Sequence, residues 1–241
     1  MKKMKVLAIC AIAVLAVSSI KAQGFSTGAD IVSSYVWRGV PQEGTKGTPN
    51  IQPYVSFTTG GLTVGSWASS SFLGNVKEVD LYATYAFSSA LALTVTDYNW
   101  GFAHPKGYFF YGKGTDHLFE ASLAYSGPEK FPLGISVNTM FAGSDTLSTG
   151  KAALSTYAEL SYPITAFAKV FCGASLFKSA NVYNTSGFAL TNIGIKVSKS
   201  IVITDKFSLP VYVILGANLS NKDVTGADKP TSLYFVAGIT L

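Results

Sequence analysis

Along most of this chain apolar and polar residues alternate one by one, in runs of about ten, and the runs are broken by glycine, proline and polar clusters. Strict alternation is the signature of a strand whose two faces meet different surroundings. Twelve such runs can be read, near 25–39, 50–60, 62–73, 77–88, 90–99, 116–126, 132–142, 152–162, 164–177, 187–198, 206–220 and 231–241. The fourth is the clearest. Val79, Leu81, Ala83, Tyr85 and Phe87 fall on one face, and Glu78, Asp80, Tyr82, Thr84 and Ala86 on the other. The last run repeats the pattern, with Leu233, Phe235, Ala237, Ile239 and Leu241 set against Ser232, Tyr234, Gly238 and Thr240.

The connections differ in length. Gly60–Gly61, Ser88–Ala90 and Tyr162–Pro163 are tight, whereas 40–49, 100–115, 142–151, 177–186 and 220–230 are longer and polar. The 74–77 connection is short for its class and 199–205 long for its own. Short turns at one end and long loops at the other are the pattern of an up-and-down antiparallel barrel in an outer membrane. The fold expected is therefore all-β, a transmembrane antiparallel barrel of about twelve strands. Pro53 and Pro210 lie inside strand runs, where each removes a ladder donor, and predict a local bulge or late pairing.

Charge placement sharpens this. The charged residues in the strand interiors are Asp30, Arg38, Glu78, Asp80, Glu120, Glu159, Lys169 and Lys196, and all eight fall on the less apolar face. A charge facing lipid near the midplane costs about 2–4 kcal/mol for a base and less for an acid. A lumen removes that cost. A soluble sandwich would alternate similarly, but it gives no reason for aromatics to gather at strand ends. On the apolar face they do: Tyr35, Trp37, Phe119, Phe141, Phe188 and Phe235 at the long-loop rim, and Phe25, Phe57, Tyr85, Phe87, Tyr125, Tyr162 and Phe207 at the short-turn rim. Aromatic rings favour the headgroup layer, where one edge is apolar and the other wet.

The first 22 residues read as a secretory signal, with Lys2, Lys3 and Lys5 ahead of an apolar run over Val6–Val17 and a small residue at Ala22. A single barrel domain is expected over 23–241. Loss of the signal takes four lysines with it, so Lys+Arg falls from 18 to 14, one more than the 13 acids. The basic pI thus belongs to the leader, and no nucleic-acid partner is implied. No run after residue 23 reaches the ~18 apolar residues of a membrane helix, which leaves a closed barrel as the way for this chain to span a bilayer.

In the segment Ser33–Gln42, SSYVWRGVPQ, Trp37 is expected to face lipid and Arg38 the lumen mouth, with Gly39 and Pro41 ending the strand. This segment resembles the SDY-aromatic-RG-hydrophobic-SQ motif of the TorF-like porin family of exported barrels. The likeness continues through Gly61–Ser69 and Glu78–Tyr82, about the first third of the mature chain. Ser34 stands where the family motif has aspartate, and Pro41 where it has serine. The resemblance implies an outer-membrane barrel with a transport role.

Candidate chemistry is sparse. Mature Cys172 stands alone and the histidines are two, His104 and His117, so neither a disulfide, a metal site nor a cofactor is expected. Neither histidine has a serine at a motif spacing, and His117 faces away from its neighbour Asp116; both read as loop polar residues. Asp97, Asp116 and Asp145 could approach the outer mouth, but no spacing requires it, and no enzyme activity is expected. Lumen or selectivity candidates are Arg38, Glu78, Asp80, Glu120, Glu159, Lys169 and Lys196. Glu78 and Asp80 could line a cation-preferring constriction or bind an ion; the favoured reading pairs them with Arg38, Lys169 or Lys196 to satisfy buried charge. The inward set holds five acids and three bases, a slight lean to cations. Trp100, Phe102, Tyr108, Phe109, Phe110 and Tyr111 either fold into the mouth as a constriction or pack on the outer rim. Tyr54, Tyr82, Tyr98, Tyr157, Tyr212 and Tyr234 should point inward and partly fill the bore.

The function expected is a narrow passive channel for small solutes in the outer membrane of a Gram-negative-type cell. Its partners would be outer-membrane lipid, the solutes and the barrel-assembly machinery. A closed barrel with ligand-binding outer loops is the alternative, and a rim hydrolase the third reading. Leu241 departs from the aromatic that usually ends such chains.

Overall fold

The computed structural model describes residues 23–43, 47–74, 77–100 and 107–241. The expected signal over 1–22, together with Phe102 and His104, lies outside the described residues. The strands are β1 (Gly24–Val32), β2 (Val36–Trp37), β3 (Val40–Pro41), β4 (Asn50–Thr59), β5 (Leu62–Ser71), β6 (Lys77–Ala86), β7 (Leu91–Asn99), β8 (His117–Ser126), β9 (Gly134–Gly143), β10 (Thr156–Pro163), β11 (Ala168–Ser175), β12 (Ala189–Thr204), β13 (Phe207–Asn218) and β14 (Ser232–Thr240). β1 and β4–β14 close into one barrel in which every neighbour is antiparallel and β14 returns to β1. β2 and β3 form a separate two-stranded hairpin.

This is the twelve-stranded up-and-down barrel expected from the alternation. Its outward positions expose Val55, Val64, Leu93, Val95, Leu123, Leu160, Val213 and Leu215. The inward positions are polar or aromatic. Four inward tyrosines lie directly opposite glycines: Tyr54 on Gly28, Tyr82 on Gly65, Tyr234 on Gly216 and Tyr212 on Gly238. A Cβ on any of these glycines would run into the phenol opposite. The rings therefore lie against the wall rather than across the bore.

Local departures have local causes. Pro53 pairs with Ala29 on β1, but the β4–β5 register skips Gln52 and Pro53. Pro210 pairs with Ser200 on β12, and pairing to β14 begins only at Val211. β12 runs on to Thr204, past the expected end at 198, so the connection read as a long 199–205 loop is a tight turn at Asp205–Lys206. Lys199, inside the extended β12, thereby falls on the outward face, where its long side chain can reach polar surroundings; Asp97, near the end of β7, also faces outward.

The inside divides along the barrel axis. Towards the loop end, Asn50, Gln52, Ser69, Glu78, Asp80, Tyr98, Glu120, Met140 and Tyr157 are buried. Towards the turn end, inward Ser56, Thr58, Thr63, Tyr82, Ala124, Ser136, Ser161, Lys169 and Ser198 are half-exposed.

Candidate functional site

The loop end is dry because the chain between β1 and β4 folds into it. β1 leaves the ladder after Val32. Ser33 still exchanges bonds with Ala237, its N–H donating to the carbonyl (2.8 Å) and its Oγ accepting from the Ala237 N–H (2.9 Å). The chain then bends inward, and β2 pairs with β3 about a two-residue turn, Arg38-Gly39, with φ of 50° and 78°. Two positive φ values define the hairpin turn whose twist matches its strands. Glycine tolerates that conformation; arginine does so at a cost, so other contacts must hold Arg38 there.

Those contacts span the bore. Arg38 Nη1 and Nη2 donate to the two oxygens of Glu120 on β8, at 2.5 and 2.8 Å, and Nη1 also donates to the Tyr183 hydroxyl at 2.7 Å. A planar guanidinium on a carboxylate through two parallel bonds is among the stronger charge-assisted arrangements. The guanidinium carbon lies 4.5 Å from the Trp37 ring centre and 4.8 Å from that of Tyr157 on β10. Glu120 also accepts from Tyr98 on β7 (3.0 Å) and Ser122 (2.9 Å), which completes its shell. Gly39 lies so close to the Thr191 carbonyl on β12 that a Cβ would collide with it, and its own carbonyl accepts from Asn218 Nδ2 of β13 at 3.2 Å. A hairpin rooted on β1 thus touches β7, β8, β10, β12 and β13. It crosses the lumen and stoppers it.

Aromatic packing fills the space around the tip. Trp37 stacks on Tyr183 (5.6 Å) and meets Tyr98 edge-on (5.7 Å), Tyr183 stacks on Tyr157 (5.6 Å), and Tyr35 tilts against Trp67 of β5 (5.5 Å). Tyr35, Trp37, Tyr98, Leu118, Met140, Tyr157 and Tyr183 form one buried cluster. Burial, then the carboxylates of Glu78 and Asp80, raise the Tyr35 phenol well above its ordinary value, and burial raises Tyr183 too, so both stay neutral.

Two expectations are corrected here. The first strand ends at Val32 rather than near residue 39, and Tyr35 and Trp37 face the interior, not lipid. Alternation assigns faces only while a ladder continues, and the bend after Ser33 resets the count. Arg38 does point into the lumen, with Glu120 as its partner.

The favoured pairing of Glu78 and Asp80 with a base is also corrected. Both are buried, at 1% and 5% exposure, and among the described residues no basic side chain forms an ion pair with either. The Tyr35 hydroxyl, the Trp100 indole and Asp80 surround the Glu78 carboxyl, yet no hydrogen bond of good geometry closes on either Glu78 oxygen or on Asp80 Oδ1. Arg38, one of the three expected bases, is engaged by Glu120.

Glu159, Asp30, Lys169 and Lys196 are the remaining inward charges. Glu159 accepts from Tyr157 (2.5 Å) and Asn192 (3.0 Å), and Tyr234 donates to Asn192 Oδ1 (2.5 Å). Asp30 accepts from Tyr212 (3.2 Å) and Thr240 (2.7 Å). Lys169 on β11 and Lys196 on β12 are direct cross-strand partners on the inward face.

The loop aromatics divide between the two expected places. Trp100 stacks on Tyr98 (5.7 Å) and packs against the buried cluster. Tyr108 and Tyr111 instead cover the outward face of β7 and β8, where the Tyr111 and His117 ring centres are 4.2 Å apart. His117 Nδ1 is 2.6 Å from Asp97 Oδ1 and its Nε2 is 2.5 Å from the Tyr108 carbonyl, while Tyr111 donates to Asp97 Oδ2 at 3.1 Å. His117 is therefore a buried clamp rather than a loop polar residue, and both its ring nitrogens are engaged. Burial, then Asp97, push the Tyr108 phenol up to about 12. Phe109 is exposed, and the Phe110 carbonyl accepts from Thr115 at 2.7 Å. Asp145 accepts from the N–H (2.9 Å) and Oγ (3.1 Å) of Ser155, which ties it into its own loop rather than to Asp97.

Tyr183 and the contact between Asp97 and His117 escaped sequence reasoning. Tyr183 sits in a polar loop with no periodicity to flag it. Asp97 and His117 are two pairs of the β7–β8 ladder apart in register, which a hairpin alignment of the two strands would have revealed. No family model matches this chain, and a search of curated proteins found no relative.

Proposed function

We propose that this chain is an outer-membrane barrel forming a narrow channel for small solutes, held shut by its own β2–β3 hairpin. The observation that carries the reading is the Arg38–Glu120 pair: a strained turn, projected across the bore, is fixed by two charge-assisted bonds rather than by an apolar plug alone. A device held at one buried ion pair can be released as a unit; a lumen filled by wall side chains cannot. The circumferential belt of exposed Val, Leu and Ile supports placement in lipid, because soluble proteins rarely present apolar surface that continuous. An export signal over 1–22 and the likeness of Ser33–Gln42 to TorF-like porins agree with an outer-membrane site, reached through the barrel-assembly machinery. We assign the protein no catalytic role, since His117, the buried histidine among the described residues, has both nitrogens engaged.

Planar-bilayer conductance tests the reading. The mature protein should open rarely, and a variant with 34–41 replaced by a short Gly-Ser link should open persistently. If the shortened, well-folded barrel stays silent, the channel reading fails and the outer loops become the functional surface.

A further inference from the structure

We infer that Glu78 and Asp80 hold a hard divalent cation, calcium by preference, in the dry loop-end half of the lumen. The two side chains share the inward face of β6 and are buried at 1% and 5% exposure. They lie close enough for their charges to act on each other, and the Tyr35 hydroxyl, at the root of the stopper, lies against Glu78. The Asn99 backbone N–H braces Asp80 from the neighbouring strand, and Asp97 adds to the negative field there.

Carboxylates taken out of water need positive charge beside them. Among the described residues no base supplies it. Arg38 is held by both oxygens of Glu120, His117 lies between Asp97 and the Tyr108 carbonyl, and Lys196 rests on the Tyr212 ring. Three oxygens are left open: both of Glu78, and Oδ1 of Asp80, each buried with no hydrogen bond closing on it. A proton shared between the two carboxyl groups would draw an oxygen of each into a short O–H···O bond, and no such bond joins these three. The other polar groups nearby also bring oxygen. Ser69, buried at 2%, is the direct cross-strand partner of Glu78, and its hydroxyl is bonded to Asn50 and Gln52. Oxygen donors of this kind select hard cations. Two negative charges favour a divalent ion over sodium. A dry pocket favours calcium over magnesium, which gives up its water reluctantly.

The site stands without the channel reading. Refolding the mature protein into detergent, in chelator or in calcium chloride, gives the two states to compare. One calcium retained per barrel is expected, with a urea midpoint that rises with calcium concentration. Glu78→Gln and Asp80→Asn should each weaken binding at least about tenfold, through loss of a charged ligand, and remove the midpoint shift. The turn-end control Asp205→Asn should keep both. A wild type that retains no calcium, or whose midpoint is the same in chelator, overturns the site, and that comparison needs no variant. A shift that survives in Glu78→Gln overturns it as well, and an equal shift with magnesium overturns the choice of calcium. Silent bilayers alongside calcium binding would refute only the channel.

Discussion

The two halves of the lumen are built from the same twelve staves yet solve opposite problems. At the loop end the hairpin excludes water, so every polar group must find a protein partner, and Arg38, Glu120, Tyr98, Ser122 and Tyr183 do so in one network. Both Glu78 oxygens and Asp80 Oδ1, in the same dry region, do not. At the turn end the tyrosines lie on opposing glycines, and inward Ser56, Thr58, Thr63, Ser136, Ser161 and Lys169 are half-exposed, although Thr84, Ala92, Thr94 and Lys196 are buried. A segment outside the barrel wall creates the largest part of the difference: where residues 33–43 fold in, Arg38, Glu120, Tyr98 and Tyr183 become protein interior.

The largest effect that could break this comparison should come from Glu120→Ala. It strands a buried guanidinium at a cost of about 3–5 kcal/mol, enough to raise open probability more than about a hundredfold in single-channel records. An unchanged record would mean that the stopper is held elsewhere. Next is the wall itself. Leu123→Arg on the outward face should lower stability in lipid vesicles by about 2 kcal/mol, whereas Ala124→Arg, one residue on and facing the wet half, should cost well under half of that; equal losses in urea titrations would contradict a lipid–lumen partition.

A smaller shift sharpens the dry half. With calcium removed, Glu78→Gln with Asp80→Asn should stabilise the fold by roughly 1–3 kcal/mol, since amides replace carboxylates that lack good hydrogen bonds. A lower denaturation midpoint there would mean that the two carboxylates are satisfied within the protein. Smallest is Gly216→Ala, which forces Tyr234 off the wall at about 1 kcal/mol. That loss should vanish in a Tyr234→Ala background, and an additive result would show that ring and glycine do not press on each other.

Some of this was legible in the chain itself. Val79 to Phe87 set against Glu78 to Ala86 is enough to orient β6, and the same parity places Glu120, Glu159, Lys169 and Lys196 inward without coordinates. Hydrogen-bonded ladders transmit a period of two faithfully, so staves, faces and short turns follow from residue type alone. The partners of those inward charges did not follow. Arg38 meets Glu120 from a distance of 82 residues, and Lys196 meets the Tyr212 ring rather than an acid.

What the sequence determined by itself is the cylinder: twelve strands, one apolar side, one polar side, because alternation is a local property that each strand carries. What the tertiary structure alone decided is that the cylinder is stoppered. Once the chain bends at Ser33, no periodicity links Tyr35, Trp37 and Arg38 to a face, and their place is set by the groups waiting across the bore.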